Sequence, residues 1–184
     1  MPILLIVLAA IVLLPALYVI VQYNALVALK NHLKDAWANI DTELKRRYDL
    51  IPNLVATVKG YAAHEKEVLE KVIELRNRCT ANPQGSRQTD EQELVAGLQR
   101  LMAVVEQYPQ LKADQHFLKL QKELVNTEDR IQAARRFYNG NVRDYRNKCE
   151  MFPSSLVASA FNFTTVEYFN VEPAVREQVP SAQF

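Results

Sequence analysis

The chain has 184 residues, room for one domain plus a membrane segment. Its 22 Lys and Arg balance 21 Asp and Glu to a net charge of +1, without the basic excess that a nucleic-acid binder needs, so no nucleic-acid partner is expected. Only 4 glycines occur, and a middle rich in Leu, Glu, Lys, Gln, Ala and Arg argues against sandwiches and doubly wound sheets in favour of long helices.

No charged side chain precedes Lys30, and Ile3 to Val21 is almost wholly Ile, Leu, Val and Ala. About 20 residues at 1.5 Å each span roughly 30 Å, the thickness of a hydrocarbon core, so residues 3–21 are expected to cross a lipid bilayer. Pro15 is tolerable inside such a helix when its freed carbonyl finds another partner. Gln22, Tyr23 and Asn24 supply an interfacial end, with Tyr23 at headgroup level. A cleaved signal peptide would need a basic start, a shorter apolar run and a small-x-small site, and none of these is present. The expected arrangement is a single-pass, uncleaved anchor. Lys30, Lys34, Lys45, Arg46 and Arg47 follow it, so the positive-inside rule places the body in the cytoplasm, with the periplasm as the alternative.

Beyond the anchor, Leu26, Leu29, Leu33, Trp37, Ile40, Leu44, Tyr48, Ile51, Val55 and Val58 recur in steps of three and four, which puts them on one helix face. Pro52 cannot donate to the carbonyl four residues back, so a kink is expected there and a break near Gly60, with one unbroken helix over 22–79 as the alternative. Glu65 to Cys79 reads as a shorter helix with Val68, Val72 and Leu75 inward. Ala81 to Arg87 clusters Asn, Pro, Gly and Ser and reads as a loop. Thr89 to Gln92 fits a capping box, with Asp90 and Glu91 at the positive end of the next helix dipole. That helix carries Leu94, Leu98, Leu101 and Val105 and stops at Tyr108-Pro109. A last long helix is expected from Ala113 to Met151, with Phe117, Leu120, Leu124, Ile131, Tyr138, Val142, Tyr145 and Phe152 inward. Ser154 and Ser155 can cap a short helix to Ala160, and the aromatic, β-branched stretch from Phe161 to Phe169 reads as extended, before a loose tail marked by Pro173 and Pro180. The expected fold class is all-α, an N-terminal transmembrane helix followed by an up-down antiparallel bundle of long helices. Its domains are a transmembrane anchor at 1–22, a helical bundle at 23–160 and an extended tail at 161–184.

Chemistry-bearing patterns are sparse. His32, His64 and His116 stand far apart, and His64-Glu65 lacks the second histidine of HExxH because Val68 holds that place. Each is read as solvated. Cys79 and Cys149 have no metal-ligand spacing, and two thiols without a disulfide between them is the plainer reading. No phosphate loop or nucleophile elbow occurs, and no Glu is followed three residues later by His, as a di-metal bundle requires. Lys45-Arg46-Arg47 and Arg135-Arg136 read as solvated helix faces. Among Glu128, Asp129 and Arg130, at least one must point toward the seam between Leu124 and Ile131, where it would set helix register. No catalytic, cofactor-binding or metal-ligating residue is expected, and no enzymatic activity.

Tyr23-Asn24, Ala36 to Asp41, the run Leu44 to Val55 (LKRRYDLIPNLV) and Val58 to Glu65 closely resemble the LemA family. So do Tyr108 to Ala113, Leu120 to Leu124, Thr127 to Ile131, Ala134 to Asn139, Phe152-Pro153, Phe161 to Phe163 and Tyr168-Phe169. The sequence departs from the family pattern at Tyr145-Arg146, where a second Tyr-Asn pair is frequent, and at Asn162, where glycine is common. The resemblance implies a membrane-anchored helical bundle of bacteria with no established enzymatic activity. It further implies association with membrane metalloproteases of the HtpX type and TPM-domain envelope proteins, and hence envelope maintenance or stress. The function expected is a non-enzymatic scaffold or adaptor that self-associates into a homo-oligomer. The alternatives are a ligand- or lipid-sensing bundle and a regulator of a membrane protease.

Overall fold

A helix that begins at Pro2 does not end until Lys59. The computed structural model describes residues 2–81 and 87–169, and its first element is this 58-residue helix α1 (Pro2–Lys59). Among the described residues it is the one helix long and apolar enough to cross a membrane, and none of its most apolar window is buried. The N-terminal part of α1 thus has the length and composition of a membrane anchor. α1 continues through Pro52 because the carbonyl that the proline leaves unbonded, that of Tyr48, accepts a hydrogen bond from Arg76 Nε at 3.2 Å. The helix stops where Gly60 was expected to stop it, in a tight turn closed by Gly60 N–H to Thr57 O (3.2 Å) and Tyr61 N–H to Val58 O (3.0 Å).

Helix α2 (Lys66–Ala81) follows, and then α3 (Arg87–Val105). On α2 the buried stripe is Leu69, Val72, Leu75 and Cys79. Val68, expected inward, is half-exposed, because the stripe runs along the adjacent row of the helix surface. α3 starts at Arg87, so Thr89 lies inside the helix and not at its cap, and the expected capping box is replaced by a core in which Asp90 and Glu91 are buried. The two helices pack closely at Gly97, where a β-carbon would stand 3.0 Å from Leu75 Cδ1. The loop centred on 82–86 and the tail prolines Pro173 and Pro180 lie outside the described residues.

A one-turn helix α4 (Pro109–Lys112) starts at the proline that was expected to end α3, and it buries Leu111. The long α5 (Gln115–Glu150) is capped by Asp114, whose Oδ1 accepts the Phe117 N–H at 2.9 Å. Phe152, expected on its inward stripe, lies past its last residue, where the helical register no longer turns it inward, and is exposed. Helix α6 (Ser154–Ala160) closes with a Schellman motif. Phe163 N–H reaches Ala158 O at 2.9 Å, Asn162 N–H reaches Ser159 O at 3.3 Å, and Asn162 takes φ 55°. The expected all-α class holds, and no strand occurs among the described residues.

The chain divides into two compact units, one of Met1–Trp37 with Ala134–Phe184, the other of Ala38–Ala133. The second unit packs Ile40, Leu44, Ile51, Leu54 and Val58 of α1 with Leu69 and Val72 of α2, Leu94 and Leu101 of α3, and Phe117 and Ile131 of α5. The first unit buries Leu26, Leu33 and Ala36 of α1 with Tyr138, Val142 and Tyr145 of α5, together with Val157, Ala158 and Phe169.

Candidate functional site

In the unit of residues 38–133, α1 turns both Arg47 and Tyr48 inward, between Leu44 and Ile51 on the apolar stripe. Arg47 is entirely buried. Its guanidinium pairs with Glu91 of α3, itself buried, and with Glu128 of α5 at 2.8 Å. The Tyr48 hydroxyl donates to Glu91. One cation thus ties α1, α3 and α5 together, flanked by longer surface pairs, Arg46–Glu123 (3.3 Å) and Glu43–Arg130 (3.8 Å). Acid–base chemistry needs a group that substrate can reach, and Arg47 and Glu91 have no such access. Lys45-Arg46-Arg47, expected on the solvated face, is split: Lys45 and Arg46 are exposed and Arg47 is core. Of Glu128, Asp129 and Arg130, it is Glu128 that turns to the seam, as the spacing required of one of the three.

Beside this core, the α2–α3 hairpin carries a groove of about 790 Å³. Its floor is Val72, Leu75, Ala96 and Gly97, and its rim carries Glu67, Glu70, Glu74 and Glu93 against Lys71 and Arg100. Lys71 holds Glu74 at 2.9 Å, and Arg78 binds Glu93 at 2.8 Å as well as Asp90. The hydrogen bonds to Asp90 and Glu93 keep the Arg78 guanidinium protonated beyond its ordinary range. The carboxylates Glu67 and Glu70 make the α2 rim acidic. This groove was not legible in the sequence, since it forms between two helices whose lining residues lie well apart along the chain.

At the turn after α1, the Tyr61 hydroxyl donates to Asp114 Oδ2 at 2.9 Å. The backbone N–H of Phe117 and then this hydroxyl hold the Asp114 carboxyl below the usual carboxylate range. His32, His64 and His116 are all exposed, and no group of three or more His, Cys, Asp or Glu residues that could hold a metal ion occurs among the described residues. Cys79 and Cys149 are buried, in different units, with no disulfide between them. Burial raises the Cys149 thiol and pushes the Tyr145 hydroxyl up to about 12.

The other unit gathers aromatic side chains. Trp37 packs edge-on against Tyr138 with ring centroids 5.3 Å apart, and Phe169 lies 5.8 Å from the same indole. Asn139 fixes the backbone of Phe169 on both sides, donating to its carbonyl at 2.9 Å and accepting its N–H at 2.8 Å. Arg135 of the Arg135-Arg136 pair, expected in solvent, lies over the Phe169 ring at 4.7 Å, and Arg136 is exposed. Nearer the apolar end of α1, Tyr23 meets Phe161 at 4.9 Å and Phe163 at 5.7 Å. Residues 163–169 carry no helix and no strand, and they are held against α1 and α5 by these contacts.

Comparison with known proteins agrees with this geometry. The chain is similar to the magnetosome protein MamQ of Magnetospirillum gryphiswaldense, 27% identical across 84% of this chain and 67% of that protein. It is equally similar to magnetosome protein MamQ 1 of Paramagnetospirillum magneticum, 27% identical over the same shares. Protein LemA of Metamycoplasma hominis is 26% identical across 87% of this chain and 74% of its own length. None of these names is that of an enzyme. The pattern that defines the LemA family matches residues 36–184, from the helix segment that carries Arg47 to the end of the chain, and the chain therefore belongs to the LemA family.

Proposed function

We propose that this protein is a non-enzymatic, membrane-anchored scaffold whose helical body gathers protein partners at the inner membrane. The observation that carries the reading is α1 itself. This one helix, Pro2–Lys59, supplies both the apolar stretch and, around Arg47, a wall of a helical core. The buried ion pairs serve packing, and the open groove between α2 and α3 offers a surface that can accept a helix with a basic flank. Confinement of the anchor to two dimensions favours encounters between copies, so self-association is part of the reading. The family resemblance adds membrane proteases of the HtpX type and TPM-domain envelope proteins as partners, with envelope maintenance or stress as the process. The similarity to MamQ and LemA, none of them named as an enzyme, supports a non-catalytic role.

The test is sedimentation of the detergent-solubilised full chain, together with photo-crosslinking in cells from groove positions such as Glu70 and Ala96. Multimers, or discrete partners crosslinked from Glu70 that vanish when the exposed Ala96 is replaced by a bulky residue, support the reading. A strictly monomeric protein that crosslinks to nothing would remove its basis.

A further inference from the structure

We infer that the turn between α5 and α6 is a second membrane contact, a tip that inserts into the same bilayer as α1. The inference rests on the reading of α1 as an anchor. Its first support is height along the helices. Trp37 of α1 is level with Tyr138 of α5, their rings 5.3 Å apart. Going back from Trp37 to Tyr23 covers about 21 Å at 1.5 Å per residue, and going forward from Tyr138 to the end of α5 covers about 18 Å. Phe161, shortly beyond that end, touches the Tyr23 ring at 4.9 Å, so α5 runs antiparallel to α1 here and finishes level with Tyr23. Tyr23 also lies in the polar break Gln22-Tyr23-Asn24 that follows the apolar run from Ile3 to Val21.

The second support is what the tip presents at that height. Met151, Phe152, Leu156 and Phe161 are 62%, 79%, 64% and 50% exposed, while Val157 and Ala158 on the other side of α6 are buried. Four large apolar side chains within so short a segment are a patch that a purely aqueous surface rarely carries. Ile20 and Val21, at the end of the apolar stretch of α1, are exposed as well. The Schellman turn at Asn162 aims both phenylalanines at Tyr23, and this builds an aromatic cluster of the kind that prefers the membrane–water boundary. Cationic side chains stand next to it: Lys30 Nζ lies 5.9 Å from the Phe163 ring and the Arg146 guanidinium 5.4 Å from the Tyr168 ring. Long basic side chains at this level reach phosphates while their stems stay on apolar surface. The occupant that fits is lipid, with the apolar side chains among the upper acyl carbons and the two cations among the headgroups.

The experiment uses the full chain reconstituted in phosphatidylcholine–phosphatidylglycerol vesicles, with Trp37→Phe removing the native indole. Single tryptophans are then placed at Phe152→Trp, at Leu156→Trp as a second tip position, at Leu14→Trp within the anchor, and at Phe137→Trp, an exposed α5 position beside Tyr138. Circular dichroism confirms that each variant keeps its helicity. Both tip tryptophans should be quenched by brominated lipid at least about twice as strongly as Phe137→Trp, and be shielded from acrylamide. If the tip responds to acrylamide as Phe137→Trp does while Leu14→Trp is quenched by lipid, the inference fails and the anchor stands. A tip shielded from both quenchers would be covered by protein, which also overturns it. Absence of lipid quenching at Leu14→Trp would remove the anchor reading and this inference together.

Discussion

At Arg47 a full positive charge sits without solvent, and two carboxylates and a tyrosine hydroxyl converge around it. Removing one partner of such a set leaves the others desolvated and uncompensated, which costs far more than the set contributes to stability. Arg47→Met should therefore destabilise the protein by about 3–5 kcal/mol, and Glu91→Leu by a comparable amount. The double variant should recover most of that loss, because Glu128 is partly solvated and tolerates losing its partner. Chemical denaturation of the solubilised chain measures all three, and strictly additive losses would refute the coupling. Asn162 gives a second test, because its φ of 55° suits glycine or asparagine and crowds a β-branched side chain. Asn162→Gly should leave stability within about 1 kcal/mol and Asn162→Val should cost about 1–2 kcal/mol, both read by thermal unfolding. The departure from the family glycine was visible in the sequence, but its left-handed backbone was not. Arg47 was hidden for a different reason. A basic run on a helix normally faces water, and only its place three residues after Leu44 and four before Ile51 marked it as inward.

Along the elements, apolar spacing carried most of the information. The α1 stripe from Leu26 to Val58, the helical stretch between Glu65 and Cys79, and the long final helix all follow from steps of three and four residues. Spacing alone did not choose between Val68 and Leu69, which lie on adjacent rows, and it could not see that Asp90 and Glu91 are drawn inward by arginines of other helices. Pro52 shows why an element can outlast its own sequence. A mid-helix proline normally breaks the ladder, and here a side chain from α2 replaces the missing donor, with Arg76 Nε on the Tyr48 carbonyl. Arg76→Ala should orphan that carbonyl and cost about 1–2 kcal/mol. Pro52→Ala restores a backbone donor, so the pair Pro52→Ala with Arg76→Ala should be no less stable than Pro52→Ala alone within about 0.5 kcal/mol. Equal losses from Arg76→Ala in both backgrounds would show that Arg76 acts through something other than this carbonyl. Where residues are close in sequence the pattern sufficed; where a residue depends on a partner far along the chain, as do Pro52, Asp90 and the groove floor at Gly97, it did not.

For the molecule as a whole, the side of the membrane on which the body lies decides which partners it can meet. Lys30 and Lys34 follow the apolar stretch closely, and Lys45, Arg46 and Arg47 come next. Arg47 is buried in the finished fold, but the positive-inside bias acts while the chain is being inserted, before Arg47 finds Glu91, so it still counts. The body is therefore expected in the cytoplasm. Gln107, exposed between α3 and α4, is a suitable reporter position, and the buried Cys79 and Cys149 can be replaced to leave Gln107→Cys as the one reactive thiol. In intact spheroplasts a membrane-impermeant maleimide should leave this cysteine unlabelled until lysis. That outcome places the α2–α3 groove among the cytoplasmic faces of membrane proteins, and it puts Lys30 and Arg146 beside the inner-leaflet phosphates. Labelling before lysis would reverse the orientation, assign the groove to periplasmic partners, and show that five basic residues on one side do not outweigh the other signals that orient this anchor.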